Sequence, residues 1–454
     1  MNIDTSKLIG PQADHAIRLI NSLYINGAAA DLSETGCGKT YVAAWVAKQM
    51  NGPVVVICPK VVRPSWKKVF GEFKITANVI INYEKLTRGN TEWLSFPNDR
   101  DNGPEDYSIN FPKNALVIVD ECHKAKAYNS KNSHMLIALK QQGYKLLVLS
   151  ATAATNPLEM RSFGFVTALH NLMNYRHFIT DCGAYMGRFG GYQIDIGSRK
   201  AVESMAEIHH RLFHVYQIAS RMTRNMFGSI FPDNHVMAEC FDMGANTSKI
   251  NRVYELMEAE LAELDEKTSN YSQHHFAIMM RARRHAELLK VPTMVEMIED
   301  WFDEGISPVV FVNFTDTVDA ILKHLSKNSR YDGLIAKIVG GQSDRERNND
   351  IDLFQRDQKR IMIANIAAGN AGISLHDLNG KFARGSIVSP TWSAINMLQA
   401  LGRIYRLEGK SKCVQKIVFA AGTIEEQCCH RVQARLNNLE ALNDGDLTFS
   451  VRVI

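Results

Sequence analysis

The run Ser33-Glu34-Thr35-Gly36-Cys37-Gly38-Lys39-Thr40 holds the residue types that a phosphate group needs. Gly36 and Gly38 let the backbone curl so that its N–H groups face phosphate oxygens. Lys39 reaches the outer phosphates, and the Thr40 hydroxyl can ligate Mg²⁺. Cys37 fits as a small side chain between the two glycines. Ser33 stands where the general pattern of such loops has its first glycine. A second group, Asp120-Glu121, ends the apolar run Leu116–Val119 and continues into Cys122-His123. Carboxylates at the C-terminal edge of a buried strand sit where open sheets place ligands. There Asp120 can hold Mg²⁺, usually through water, and Glu121 can orient and deprotonate an attacking water.

Elements must carry these residues. Ala28-Ala29-Ala30 precedes the glycine loop and the helix-compatible run Tyr41–Met50 follows it, which is the strand–loop–helix setting the phosphate reading requires. Further apolar runs at Val54–Cys58, Leu116–Val119 and Leu146–Leu149 suit parallel strands buried on both faces. A second stretch of this kind offers Val309–Val312, Ile335–Val339, Ile361–Ala364, Ile387-Val388 and Val414–Phe419. The expected fold class is therefore α/β, with two parallel-sheet bodies in tandem. The expected division is residues 1–155, a mainly helical region at 156–294, and residues 295–454. In the middle region Glu255–Glu266 reads as a charged-faced helix, and Gly183, Gly187, Gly190 and Gly191 as a loop or turn.

Composition bounds the rest. The 454 residues, 45% hydrophobic and 22% charged, can bury a large core and do not describe a disordered chain. Lys+Arg minus Asp+Glu is 52 − 48 = +4, which permits a nucleic-acid partner on a local patch without announcing one. Eight scattered cysteines point to a reducing compartment rather than a disulfide scaffold. No apolar run approaches the roughly 20 residues of a membrane-spanning helix, and the first residues show no signal-peptide pattern. A cytoplasmic location is expected. His209, His210 and His214 lack a carboxylate or Cys to complete a metal set, and Cys428-Cys429-His430 lacks a second pair.

Asp120-Glu121-Cys122-His123 together with Ser150-Ala151-Thr152 resembles motifs II and III of the superfamily 2 helicases, the DExH-box group. Ile363-Ala364-Asn365 through Gly369, Gly372 and Leu375 resembles motif V. Gln399-Ala400-Leu401-Gly402-Arg403-Ile404-Tyr405-Arg406 resembles motif VI, with Tyr405 where the family usually has His. Leu8–Gln12 resembles the segment whose Gln reads adenine. The finer resemblance is to Swi/Snf-type translocases and compact phage branch-migration helicases, through Cys58-Pro59-Lys60 with Ser65-Trp66, Asn82-Tyr83-Glu84, Gly340-Gly341-Gln342-Ser343 and Trp392.

The resemblance implies two RecA-like lobes, with ATP and Mg²⁺ bound between them. Lys39, Asp120 and Glu121 would act from lobe 1, and Gln399, Arg403 and Arg406 from lobe 2. Gln12, Gly36, Cys37, Gly38, Thr40 and Gly372 would line the nucleotide. The spacing of Gln399, Arg403 and Arg406 fits one helical face. A fixed guanidinium near the transferring phosphoryl group would offset its developing charge. Backbone contacts to DNA would fall on Lys60, Arg63, Trp66, Tyr83, Asn313, Gly341 and Asn365. Arg221, Arg224, Arg281, Arg283 and Arg284 are further candidates for a duplex-binding face. The expected activity is an ATP-dependent helicase or translocase remodelling branched or forked DNA, in a chain for which a monomer is plausible. Two rivals are an RNA helicase or transcript-release factor, and a nucleotide-gated scaffold without motor output.

Overall fold

The apolar runs become parallel strands. In the computed structural model the described residues are 7–88, 91–95, 103–151, 153–187, 190–195, 198–264, 271–369, 373–391, 394–423 and 425–426. They form two compact units that divide between Gly228 and Ser229.

The first unit is built on a sheet of β1 (Ala28–Asp31), β2 (Val54–Cys58), β3 (Val79–Asn82), β4 (Leu116–Asp120), β5 (Lys145–Leu149) and β6 (Ala219–Ser220), in the order β6-β1-β5-β4-β2-β3. All its pairings are parallel. Helices α1 (Gln12–Asn26), α2 (Lys39–Met50) and α3 (Arg63–Phe73) connect or flank the strands. Strands β1 and β2 are buried along their whole length, as a sheet covered on both faces demands. The register sets Asp31 and Asp120 both opposite Leu149. The glycine loop after β1, the acidic pair after β4 and Ser150 after β5 therefore leave the sheet at one edge. This is where parallel α/β sheets gather ligands.

The second unit has β7 (Asn234–Phe241), β8 (Ser307–Val312), β9 (Ile335–Ile338), β10 (Ile361–Asn365), β11 (Arg384–Val388) and β12 (Cys413–Ala420), in the order β7-β12-β11-β8-β10-β9, again all parallel. Its helices include α4 (Ala245–Glu263), α5 (Tyr271–Leu289), α6 (Val291–Asp303), α7 (Thr315–Leu325), α8 (Asp344–Gln355) and α9 (Ala394–Leu401). Asn313, Asn365 and Ser389 follow or end β8, β10 and β11 at one edge.

The stretch 156–294 divides between the two units. Met205, Ile208 and Leu212 join the first core, and β6 joins the first sheet. Ile250, Tyr254, Met257 and Ala286 join the second core, and β7 forms an edge of the second sheet. The cause is plain: helices with an apolar face are unstable unless a core takes that face. In the glycine cluster the Gly187 N–H donates to the Gly191 carbonyl at 2.8 Å, between paired two-residue strands at Tyr185-Met186 and Tyr192-Gln193.

Candidate nucleotide site and its supports

The phosphate loop depends on its glycines. Gly36 and Gly38 hold φ of +91° and +85°, the left-handed region that side chains resist. At Gly38 a Cβ would lie 2.4 Å from Gln12 Nε2, so a side chain there would also displace the Gln12 amide. Gly38 is also the N-cap of α2, and Lys39 and Thr40 open that helix, where N–H groups point outward and anions bind. Lys39 Nζ donates to the carbonyls of Ser33 (2.7 Å) and Glu34 (3.1 Å). An ammonium so placed can exchange loop carbonyls for phosphate oxygens. The residues present thus suit a nucleoside triphosphate.

Cys37 is buried, and burial pushes its thiol up to about 12, so it is not a reactive thiolate. Gln12 is engaged within the protein: its Nε2 donates to the Cys37 carbonyl at 2.9 Å and its Oε1 accepts from Ile9 N at 2.9 Å. Gln12 therefore orders the loop in addition to any contact with a base. Asp31 is buried beside it. Burial works to raise the pH at which it ionises, but the ring of His15 at 3.1 Å, Ser33 and Lys39 outweigh burial and hold the carboxyl below the usual carboxylate range.

Asp120 is the other pole. Its Oδ2 accepts from Trp66 Nε1 at 2.9 Å, and its carbonyl accepts from Tyr83 Oη at 2.6 Å. Trp66 is 1% exposed and Tyr83 is fully buried. This corrects the expectation that these two rings touch nucleic acid. Their aromatic bodies fill the core while their polar tips face Asp120, as buried Trp and Tyr require. Burial and the adjacent Glu121 charge push the Asp120 carboxyl up, and the Trp66 hydrogen bond opposes them. A carboxylate held in such surroundings suits a hard cation, with the Thr40 hydroxyl as the other protein oxygen; together they would hold Mg²⁺. Glu121 adopts φ +56°, a strained conformation of the kind found where side chains must be aimed. His123 Nδ1 lies 3.2 Å from Ser150 Oγ and 3.2 Å from Glu121 Oε2, so it links the acidic pair to the end of β5. Spacing alone gave no sign of His15 or of the His123–Ser150 link, because their partners are distant in sequence. Thr152 lies outside the described residues.

Lys60 and Lys67 are exposed and Arg63 half-buried, all before or on α3. In the second unit Gly341 is exposed, with φ +81°. Asn313 and Asn365 are spent inside the fold. Asn313 Nδ2 donates to Glu287 Oε2 (2.6 Å) and to the Pro390 carbonyl (2.9 Å). Asn365 Nδ2 donates to the Asn313 carbonyl (2.9 Å), and its Oδ1 accepts from Ala367 N (2.9 Å). These amides order the carboxyl edge of the sheet; side-chain contact with nucleic acid would require breaking them.

Gln399 is buried on α9. The helix ends at Leu401, so Arg403 and Arg406 lie in the turns beyond it and not on one helical face with Gln399. Both guanidiniums converge instead on one acceptor: Arg403 Nη1 (3.3 Å) and Arg406 Nη2 (3.0 Å) donate to the Ile373 carbonyl. Gly372 and Trp392 lie outside the described residues. Arg221 and Arg224 are not part of an open basic face; both pair with Glu34 in the phosphate loop. Arg281 and Arg284 are exposed and form ion pairs with Glu260 and Asp316.

Two parallel-sheet lobes, the first with a glycine loop and an acidic pair at one edge, define a tandem RecA-like P-loop ATPase. Residues 32–155 match the family described as "Type III restriction enzyme, res subunit", and residues 290–408 match "Helicase conserved C-terminal domain". A protein of Acanthamoeba polyphaga mimivirus, provisionally named ATP-dependent RNA helicase L364, is 30% identical over 98% of this chain and 85% of its own length. ATP-dependent helicase ULS1 of Saccharomyces cerevisiae is 30% identical over 30% of this chain and 8% of its own length. The DNA repair and recombination protein RAD54-like of Drosophila ananassae is 28% identical over 27% of this chain and 15% of its own length. The chain belongs to the superfamily 2 helicases and translocases of the DExH-box group, with Swi/Snf-type relatives, and is an ATP-hydrolysing enzyme of that family. No described helix is long and apolar enough to cross a membrane.

Proposed function

We propose that this helicase acts on DNA, moving by backbone contacts and remodelling branched or forked duplexes by branch migration, fork reversal or unwinding. The observation that carries the reading is the pair of aromatic donors on Asp120. Trp66 and Tyr83 belong to segments whose outer residues are Lys60, Lys67 and Lys85. Phosphates seated on those lysines would bear, through two buried rings, on Asp120 of the ATP site, Trp66 on its carboxylate and Tyr83 on its backbone carbonyl. Backbone contact of this kind is sequence-tolerant and weakens with salt.

Lys39 and the N–H groups of the loop bind and orient the outer phosphates. Bound Mg²⁺ supplies charge neutralisation across the phosphate oxygens. Glu121 orients the attacking water and takes its proton as the terminal phosphoanhydride bond breaks to give ADP and phosphate. Arg403 and Arg406 offset the charge that builds on the transferring group.

The name of the Drosophila relative supports a helicase working in DNA repair and recombination. The mimivirus relative's name supports a second reading, an RNA helicase. The test is steady-state ATPase at fixed salt with single-stranded DNA, duplex, forked DNA, four-way junction and RNA. Forks and junctions should stimulate most. Lys39→Ala and Glu121→Gln should each lower the rate about 100-fold or more with the fold intact. Stimulation by RNA alone would overturn the DNA reading, and full activity in either variant would overturn the site.

A further inference from the structure

The segment that leaves the first unit is tied to the phosphate loop almost residue by residue. β6 pairs with β1, through Ala30 N on the Ile218 carbonyl (2.8 Å) and Leu32 N on the Ser220 carbonyl (2.9 Å). The pairing then runs on past the sheet. Met222 N donates to Ser33 Oγ at 2.9 Å, and Glu34 N donates to the Met222 carbonyl at 3.0 Å. The Glu34 carboxylate accepts from Arg224 N (2.9 Å) and from Arg221 Nη2 (3.2 Å). The Arg224 guanidinium reaches Thr35 three ways: Nε (3.3 Å) and Nη2 (3.2 Å) on its carbonyl, and Nη2 on Oγ1 (2.9 Å). Beneath these, the His15 ring bridges Ser220 Oγ (2.8 Å) and Ser33 Oγ (3.3 Å).

Thr35 is the residue before Gly36, where the chain turns into the phosphate cradle. An exposed glycine loop is mobile unless something holds it. Here its outer half is fixed from the far end of the unit. The chain kinks at Gly228 (φ 55°, ψ −131°) four residues after Arg224, and the second unit begins at the next residue. Whatever moves the start of the second unit pulls on a tether only four residues long.

We infer that Arg224 is a positioning residue for the phosphate loop, and that Ser220–Arg224 is a strap through which the chain's passage into the second unit sets how tightly the first unit holds a nucleoside triphosphate. The inference rests on the ATP-site reading of Ser33–Thr40. It explains why an arginine stands at 224: a planar fork can serve a carbonyl and a hydroxyl together, whereas an ammonium is a point donor. When the strap is in place, the loop N–H groups are preorganised and the nucleotide need not order them. When it is drawn away, the nucleotide must order the loop itself and binds more weakly. Affinity, more than the chemical step, is what the strap governs.

The experiment uses the full chain and the variants Arg224→Ala, Arg224→Lys and Thr35→Val, with Lys39→Ala as control. Three quantities are read: the Kd of a fluorescent non-hydrolysable ATP analogue without nucleic acid, KM and kcat for ATP with saturating DNA, and amide hydrogen exchange across residues 33–40. Arg224→Ala should raise Kd and KM about tenfold while kcat changes less than about threefold, and should speed exchange in the loop. Arg224→Lys should recover less than half of that loss. Thr35→Val, which removes the Oγ1 bond and keeps the two carbonyl bonds, should raise Kd about threefold, and adding it to Arg224→Ala should add little, since the donor to Oγ1 is already gone. Unchanged affinity and exchange in Arg224→Ala would overturn the strap, as would full recovery by lysine or a loss confined to kcat. If Arg224→Ala fails to fold, Thr35→Val decides alone, because it removes the Oγ1 bond from the loop side and keeps the arginine. Lys39→Ala separates the two failures: if it still hydrolyses ATP, the loop reading itself is wrong, and if it is dead while Arg224→Ala binds normally, only the strap is.

Discussion

Glu287 shows how much a single side chain can order. It lies on α5, three residues beyond Arg284, yet it is 2% exposed. Its two oxygens accept from Asn313 N and Nδ2, Phe314 N, Thr317 Oγ1 and Ser389 Oγ. Three stretches of chain, α5, Asn313–Thr317 and Ser389, thus meet on one carboxylate, and it caps the start of α7 from another helix. Every partner is a donor, so the pocket is built for an acceptor-only group. Glu287→Gln keeps the shape but turns an NH₂ toward donors. It should cost about 2–4 kcal/mol of second-unit stability, read as a lower urea midpoint for that unit. An unchanged midpoint would mean that these bonds do not matter to the fold. Asn313 and Asn365 belong to the same network, which is why residue type and spacing could mark them as functional without showing that their side chains are occupied.

Gly385 makes the corresponding argument between elements. It has no positive φ to explain it; a Cβ there would lie 2.6 Å from the Trp301 ring. The glycine lets α6 lay its tryptophan directly on β11, and Trp301 is buried there. A rigid ring cannot step aside as a lysine tip can. Gly385→Ala should therefore cost about 1–3 kcal/mol, and combining it with Trp301→Leu should cost less than the sum of the two single changes. Strict additivity in chemical denaturation would sink the packing argument. Elements of this kind also show what could be read in advance. β2 spans Val54–Cys58, the apolar run read as a strand, and β8, β10 and β12 contain or closely match their runs, because a strand buried on both faces leaves an uninterrupted signal. β6 and β7 left none: one has two residues, and the other, Asn234–Phe241, is a polar-interrupted edge strand with Val236 exposed. Of the site, the glycine loop and acidic pair were legible because neighbours in sequence share the task. Trp66, Tyr83, Arg221 and Arg224 misled because each has its partner more than thirty residues away, and a sequence cannot say which way such a side chain faces.

The whole chain consists of two units with separate cores, and its ionisable groups pull their stabilities in opposite directions with pH. Two separate cores should unfold in two steps rather than one. In the first unit, the Asp120 carboxyl is held above its ordinary value by burial and Glu121. The unfolded chain releases that proton near 3.8 and the folded unit releases it later, so the unit loses stability as pH rises between the two. In the second unit, His376 is buried with no hydrogen bond to either ring nitrogen among the described residues, and burial together with Arg406 and Arg384 holds it down to about 4. Unfolded, it gains a proton near 6.5. That contribution is whole above 6.5 and is lost as pH falls toward 4, up to about 3 kcal/mol. Calorimetry of the full chain should therefore show two transitions. Asp120→Asn should raise the first unit's midpoint at pH 7.5, by on the order of 2 kcal/mol, and abolish ATP hydrolysis, as expected where a functional carboxylate is kept at the expense of stability. It should leave the second transition unmoved. Lowering the pH from 7 to 5 should weaken the second unit, and His376→Leu should remove most of that pH dependence. A single transition, or an Asp120→Asn variant that shifts both midpoints together, would show that the two cores do not unfold separately.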